Sequence, residues 1–303
     1  MASAAPALSF DRAFDPQTGS PISVIEGVTR VTAPNASAYT FTGTNSFILG
    51  HQRLAVLDPG PDDPVHMAAL MAAIAGRPVD AILLTHTHRD HSASAARLAR
   101  DLGAPLWFGG QHRLSRPLRR FERNPIRRSC DWDLVPDRTL RDGEAIVAGD
   151  LPLTVHTTPG HCANHLAFGT GEHLLSGDHV MGWNSTLVSV PDGSMADYLD
   201  SLDKVIALPY RRYIPGHGGP IEDGPAYARA LHAHRQLRNK QVVDAVREGA
   251  RNVASLVRVI YRPQSLPVRI AARMTIAAHV EYLEAHGRLR VSRSVLGMQL
   301  SAP

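Results

Sequence analysis

The stretch Thr85-His-Thr-His-Arg-Asp-His91 carries four metal-competent side chains within six residues. The apolar run Ala81-Ile-Leu-Leu-Thr85 leads into it and is typical of a buried strand. An alanine-rich segment, 92–102, follows and is typical of a helix capped by Ser92 or Ser94. The intervening loop therefore lies at the carboxyl end of a strand, where α/β proteins place their active sites. Its candidate ligands are His86, His88, Asp90 and His91.

Further candidate ligands follow three later apolar runs. They lie in Thr158-Pro-Gly-His161, Ser176-Gly-Asp178-His179 and Ile214-Pro-Gly-His217. A glycine beside each ligand lets the backbone approach the site and aim the side chain. Catalytic zinc sites use about three protein ligands and leave one position for water. We therefore expect these segments to complete two metal shells that the His-rich stretch begins, with the Asp178 carboxylate able to bridge both cations.

Strand and helix patterns alternate around these motifs. Short apolar strands are predicted on both sides of a helix that begins at Pro64, and further strands follow as far as Pro215. This order is typical of an α/β fold built in layers with a mixed sheet. From about Ala226 the pattern changes to three helices, followed by a hairpin predicted over 288–296. We predict an N-terminal tail at 1–21, a catalytic domain at 22–225 and a small winged-helix-like domain at 226–303.

The composition excludes several classes of protein. With 303 residues, 44% hydrophobic and 20% charged, the chain is typical of a folded globular protein of about two domains. Its formal charge is +4, and its two cysteines exclude both a disulfide framework and a four-cysteine zinc module. The chain begins without the basic region of a secretory signal, and its longest apolar stretch, 67–75, is too short to span a bilayer. We therefore expect a cytoplasmic protein with no membrane segment.

Taken together, the motifs resemble those of the metallo-β-lactamase superfamily of hydrolases. The resemblance covers about residues 22–223 and also includes Leu57-Asp-Pro-Gly60. It implies an αββα sandwich with two divalent metal ions, which we expect to be zinc, with iron or manganese as alternatives.

The resemblance also implies a role for each ligand. Asp58 would orient the His-rich loop, and Asp90 would help to orient a nucleophilic hydroxide that bridges the metals. The first metal would be held by His86, His88 and His161, the second by Asp90, His91 and His217, and Asp178 would bridge them.

The C-terminal part suggests a substrate, because residues 229–287 resemble the winged-helix region of lactamase-like endoribonucleases that cut single-stranded RNA. This resemblance implies RNA phosphodiester hydrolysis as the first functional hypothesis. Seven arginines within 16 residues, 113–128, suit a phosphate backbone, although such a run is usually a solvated surface. The alternatives for the module are that it packs over the active-site mouth, sets substrate access or supports a homodimer.

A second enzymatic hypothesis is hydrolysis of a small-molecule ester or acyl-thioester, as in glyoxalase II or a thioesterase, because two metals activate water against either electrophile. The missing secretory signal disfavours a β-lactamase. A non-enzymatic winged-helix nucleic-acid binder is disfavoured because it would not need the seven ligands. The candidate substrate contacts near the ligand segments are His165, His179, Trp183 and Asn184.

Overall fold

The computed structural model describes residues 8–261, 266–294 and 297–303, except for the side chains of 266, 267 and 294. Its first sheet has seven strands in chain order. The first four strands pair antiparallel and the remaining three continue the sheet in parallel. They are β1 Pro21–Ile25, β2 Val28–Thr32, β3 Asn45–Gly50, β4 Leu54–Leu57, β5 Val79–Leu83, β6 Leu106–Phe108 and β7 Arg138–Thr139.

The second sheet has five strands, in the order β12-β11-β10-β9-β8. All its pairs are antiparallel except β11 with β12, which are parallel. The strands are β8 Ala145–Ala148, β9 Leu151–Thr157, β10 Leu166–Thr170, β11 His173–Gly177 and β12 Arg212–Pro215.

Seven helices are described, and local sequence explains where they begin and end. Asp63 caps the first helix by accepting hydrogen bonds from the backbone N–H groups of Val65 and His66, and Ala75 ends it with a left-handed φ of 52°. The helices are α1 Pro64–Ile74, α2 Arg89–Ser92, α3 Ala95–Leu102, α4 Met195–Ala207, α5 Gly224–Arg247, α6 Val253–Ile260 and α7 Leu266–Ala285.

Apolar side chains divide the main body into four layers. Between the sheets, Phe47 and Leu57 pack with Phe168 and Leu175. On the outer face of the first sheet, buried side chains of α1 and α3 pack against β3, β4 and β5. On the outer face of the second sheet, α4 and α5 pack against β10, β11 and β12. The predicted αββα sandwich is confirmed, and the β4–β5 and β11–β12 pairs bring their carboxyl ends to the site.

The C-terminal region has a core of its own. Buried side chains of α5, α6 and α7, among them Val246, Leu256 and Ile276, pack with Leu300 of a terminal hairpin. The hairpin strands are β13 Arg290–Ser294 and β14 Gly297–Ser301, so the second strand lies beyond the predicted 288–296. Three helices and a hairpin thus occur in the predicted order, while the winged-helix assignment and the domain limits stay predictions. No helix among the described residues combines the length and apolar composition that a bilayer span needs.

Candidate metal centre

The His-rich loop is anchored by a buried carboxylate at the end of the neighbouring strand. Asp58 follows β4, and its two oxygens accept hydrogen bonds of 2.7 Å from the backbone N–H and the hydroxyl of Thr85, directly before the loop. The same carboxylate accepts a hydrogen bond of 2.9 Å from His91 Nδ1. Because β4 and β5 are parallel neighbours, both residues reach the same sheet edge. Asp58 therefore anchors the start of the loop and the ring of His91.

A first group of candidate ligands forms where this loop meets the turn after β9. His86, His88 and His161 each offer one ligand atom, and these atoms lie within 4.8 Å of one another. His88 Nδ1 and His161 Nε2 are 2.9 Å apart. His86 Nε2 is buried and has no hydrogen-bond partner among the described residues. A buried nitrogen left unpaired beside two others indicates a cation site, because such an atom is costly to bury otherwise.

A second group lies beside the first. Ligand atoms of Asp90, His91 and His217 also lie within 4.8 Å of one another. His91 Nε2 is 3.2 Å from His217 Nε2, and Asp90 Oδ2 is 3.4 Å from His217 Nε2. This group joins the loop after β5 to the turn after β12, and its two histidines are 126 positions apart in the sequence.

Asp178 lies between the two groups. One of its oxygens is 3.6 Å from His161 Nε2 in the first group and 3.4 Å from His217 Nε2 in the second. The other oxygen is 3.5 Å from His91 Nε2 and is buried without a hydrogen-bond partner among the described residues. Gly216 makes room for this arrangement, since a Cβ there would lie 2.8 Å from an Asp178 oxygen. The carboxylate is placed to bridge two cations.

The far nitrogen of every candidate histidine donates a hydrogen bond, which fixes each ring so that its other nitrogen faces the centre. The acceptors are, in turn, Thr85 Oγ1 for His86 at 3.0 Å, Asp192 Oδ2 for His88 at 3.0 Å, Asp58 for His91, Leu187 O for His161 at 2.6 Å and Gly43 O for His217 at 3.1 Å. Five oriented imidazoles and two carboxylates form a donor set that suits divalent metals such as zinc.

His161 in the first group and His217 in the second show opposite pKa shifts. Burial, reinforced by the charge of His88, lowers the pKa of His161 to about 4, so this ring is neutral near pH 7 with its lone pair free. Burial acts on His217 in the same direction, but the Asp178 and Asp90 carboxylates override it and raise the pKa of His217 to about 9. The negative charge of the site is therefore concentrated around the second group, where a cation would displace protons.

The structure divides the predicted substrate contacts into two pairs. His165 is buried behind the ligands, and its Nε2 accepts a 3.1 Å hydrogen bond from the backbone N–H of Asp178. His179 is fully buried against the Tyr198 ring, with 5.1 Å between ring centroids. Neither residue is part of the cavity wall, so the expectation that they contact substrate is corrected: both support the centre from behind. Trp183 and Asn184 do line the cavity.

Two residues that belong to no recognised motif complete the centre. Asp192 is fully buried and accepts hydrogen bonds from His88 on one oxygen and from His112 Nε2, at 2.9 Å, on the other. Asn124 donates a further hydrogen bond of 3.2 Å to the same carboxylate. Sequence reasoning missed both residues, although Gly110 and Gly193 lie nearby, because these contacts join segments that are remote along the chain.

A cavity of about 890 Å³ opens in front of the ligands. Four ligands reach it, namely His88, Asp90, His161 and Asp178. The other lining residues are 38–40, Arg89, 125, 126, 128, 129, 181, 183–185, 187, Arg235, Tyr261, 268 and 270–275. Helix α7 therefore forms part of the active-site wall, which confirms that the C-terminal region packs at the mouth.

Two divalent cations bound by this donor set would lower the pKa of a water between them and polarise a substrate carbonyl or phosphoryl group. The protein supplies the orientation. Asp90, with 31% of its side chain exposed, lies at the cavity surface and can accept a hydrogen bond from the attacking water. The arrangement is that of a metal-assisted hydrolytic site.

Comparisons with known proteins agree with this geometry. A family model described as the metallo-beta-lactamase superfamily matches residues 39–217. A beta-lactamase-like protein 2 homolog from Drosophila melanogaster is 28% identical over 293 residues, covering 90% of this chain and 95% of that protein. An atrochrysone carboxyl ACP thioesterase from Aspergillus chevalieri is 28% identical over 229 residues, covering 73% of this chain and 66% of that protein.

A solved structure shares the whole fold. The crystal structure of a beta-lactamase domain protein from Burkholderia ambifaria superposes with a TM-score of 0.80 at 24% identity, and the match covers 98% of this chain and 97% of that one. The C-terminal helices and hairpin are thus included in the shared architecture. From its family match and its ligand set, the chain belongs to the metallo-beta-lactamase superfamily and is a metal-dependent hydrolase.

Proposed function

We propose that this protein hydrolyses acyl-thioesters with two divalent metal ions, which we expect to be zinc. The observation that carries the proposal is the apolar surface that α7 presents to the cavity. Val268 and Ile270 line this cavity while 41% and 45% exposed, respectively. Exposed aliphatic side chains gathered in a cavity mark a ligand-binding surface. An acyl chain would cover them when its thioester carbonyl lies at the metal ligands.

A second part of the cavity wall suits the same ligand. Trp183 lines the cavity and stacks on Phe41 with 5.0 Å between ring centroids and an angle of 7° between ring planes. This stacking holds the indole in one orientation, so it offers a rigid apolar surface at low entropic cost. Met181 and Leu187 extend the apolar lining toward the ligands. This apolar part of the wall suits an apolar acyl group.

The relatives support the thioester assignment. The Aspergillus chevalieri protein is named for thioesterase activity on a carboxyl acyl carrier protein substrate, and a second protein of that name, from Aspergillus fumigatus, is 26% identical over 263 residues. The reaction would begin with the attack of the activated water on the thioester carbonyl carbon. The carbon–sulfur bond then breaks, and the thiolate leaves to take up a proton. Asp90 would accept a hydrogen bond from the water, and the ligand histidines would hold the cations that polarise the carbonyl.

The arginine run gives less support to the RNA hypothesis than the sequence suggests. Arg116 forms ion pairs with Glu122 and Glu281, and Arg119 pairs with the same Glu281. Arg113 donates to the backbone carbonyls of Gly109 and Ala163. These guanidinium groups fasten the loop to α7 and to the main body instead of facing a phosphate backbone. We therefore place RNA second, as an outcome of the test.

The test compares three samples of metal-quantified protein on acyl-thioesters and on labelled single-stranded RNA. The samples are the unaltered protein, His88→Ala and His51→Ala, the last being a matched control in an exposed loop. We expect thioester turnover that His88→Ala abolishes and His51→Ala leaves unchanged. RNA cleavage with the same dependence on His88, and no thioester turnover, would contradict the proposal and favour the endoribonuclease. We also propose that this protein is located in the cytoplasm.

A further inference from the structure

A buried arginine stands on the cavity wall without an acidic partner. Arg235, in α5, is only 2% exposed and lines the cavity. Its Nη2 donates to the carbonyl oxygen of Thr186, and its guanidinium lies over the Tyr198 ring, 5.2 Å from the centroid. Its Nε is enclosed and has no hydrogen-bond partner among the described residues. No carboxylate of the described chain forms an ion pair with it.

Such a residue is expensive to keep. A buried charge normally has a counter-ion and a full set of hydrogen bonds, because desolvation otherwise outweighs what the neighbours return. The neighbouring histidines supply no negative charge. Burial and the positive charge of Arg235 lower the pKa of His234 to about 4 and hold the pKa of His279 well below its usual range. Arg116, by contrast, is paired with two glutamates. The exception at Arg235 therefore calls for a ligand.

The rest of the cavity has the same charge. Arg128 and Arg273 line it, are exposed, and form no ion pair with a described residue. Among the described residues, its only acidic lining residues are Asp90 and Asp178, which already belong to the candidate metal ligands. Away from the metal centre, the wall is thus cationic and apolar at once. A substrate that fits it carries an apolar acyl portion and an oxyanion.

We propose that Arg235, together with Arg128 and Arg273, forms a subsite for an oxyanion of the substrate, either a carboxylate or a phosphate. A planar guanidinium binds both groups through paired, charge-assisted hydrogen bonds. This inference rests on the proposed thioester hydrolysis. A thioester substrate can carry an oxyanion in two ways. Its acyl group can end in a free carboxylate, or its thiol part can include the phosphate of a phosphopantetheine arm.

Four substrates separate the two sources: butyryl-pantetheine, glutaryl-pantetheine, butyryl-coenzyme A and glutaryl-coenzyme A. We expect the unaltered protein to prefer one anionic feature by about tenfold in kcat/KM, as for one charge-assisted pair. We expect this preference to fall in each of three variants, Arg235→Met, Arg128→Ala and Arg273→Ala. The two variants at exposed positions test the subsite even if Arg235→Met does not fold. Arg258→Ala, an exposed arginine of α6 away from the cavity, is the matched control and should leave the preference intact.

A purely structural role predicts a different result. Arg235 holds the Thr186 carbonyl beside Leu187, whose own carbonyl orients His161. If it only anchored this loop, Arg235→Met would lower turnover of all four substrates by the same factor, and the two rim variants would change nothing. That outcome would overturn the subsite, as would the absence of any anionic preference in the unaltered protein.

Calorimetric titration keeps the two proposals distinguishable. Pantetheine 4′-phosphate, pantetheine and glutarate are titrated into the metal-loaded protein and into the Arg235 and Arg273 variants. Binding of either anion that the variants weaken supports the subsite even when no thioester is hydrolysed, in which case only the proposed function fails. Turnover of thioesters without a preference for, or binding of, either anion sinks the subsite and leaves the function in place.

Discussion

Replacing Asp192 by asparagine should weaken one metal site and spare the other. In the structure the Asp192 carboxylate is fully buried and accepts hydrogen bonds of 3.0 Å from His88 and 2.9 Å from His112. It is not part of the second ligand group, which consists of Asp90, His91 and His217. Asparagine keeps the volume, but its NH₂ group replaces one acceptor oxygen by a donor. One of the two imidazole N–H groups then faces another donor.

The magnitude follows from that mismatch. A partner lost behind a metal-ligating histidine typically costs about 10- to 100-fold in metal affinity, or roughly 1.4 to 2.8 kcal/mol. The loss should fall on the group of His86, His88 and His161. The group of Asp90, His91 and His217 keeps its own outer contacts, to Asp58 and to Gly43, so its affinity should change by less than about threefold.

The assay is a competition titration of Zn²⁺ or Co²⁺ against a chromophoric chelator, which resolves two binding steps, with elemental analysis after dialysis. Cobalt absorption reports the geometry of each site. Asp200→Asn, an exposed aspartate of α4, is the matched control. Equal weakening of both steps would mean that Asp192 acts through general stability, and unchanged binding of the first metal would show that it does not position His88 at all.

Three further substitutions probe other contacts. Asp178→Asn should loosen a metal and reduce hydrolysis by at least about 100-fold, as removal of a bridging ligand requires; unchanged metal content and rate would remove Asp178 from that role. Gly216→Ala places a Cβ 2.8 Å from an Asp178 oxygen, so metal content and activity should fall by roughly tenfold while a bound-metal assay on the unaltered protein stays stoichiometric. Glu281→Gln breaks ion pairs with Arg116 and Arg119, and chemical denaturation should show a loss of about 1 kcal/mol; a wild-type midpoint would argue that α7 is held by its apolar contacts alone.

Local sequence was sufficient to predict the layers and to nominate the candidate ligands. Apolar runs such as Leu54–Leu57 form fully buried strands because exposure of their side chains to water is unfavourable on both faces of the strand. Most ligand motifs directly follow strands of the parallel pairs β4–β5 and β11–β12, whose carboxyl ends bring them to the site, while His161 follows β9, which pairs antiparallel with its neighbours. Seven ligands could therefore be assigned from spacing and resemblance, and the structure brings all seven together.

Other features depend on contacts between distant parts of the chain, which no local pattern encodes. His88 and Asp192 are 104 positions apart, and Arg116 and Glu281 are 165 apart. Such pairs form only when packed elements meet, so the sequence could not show that Arg116 and Arg119 pair with Glu281 of α7, or that Arg235 has no carboxylate partner among the described residues. The same packing turned His165 and His179 away from the cavity. The sequence by itself determined which residues could bind metal and which strands present them; tertiary packing alone decided what surrounds the metals, because burial, counter-charges and cavity shape arise from segments that are remote along the chain.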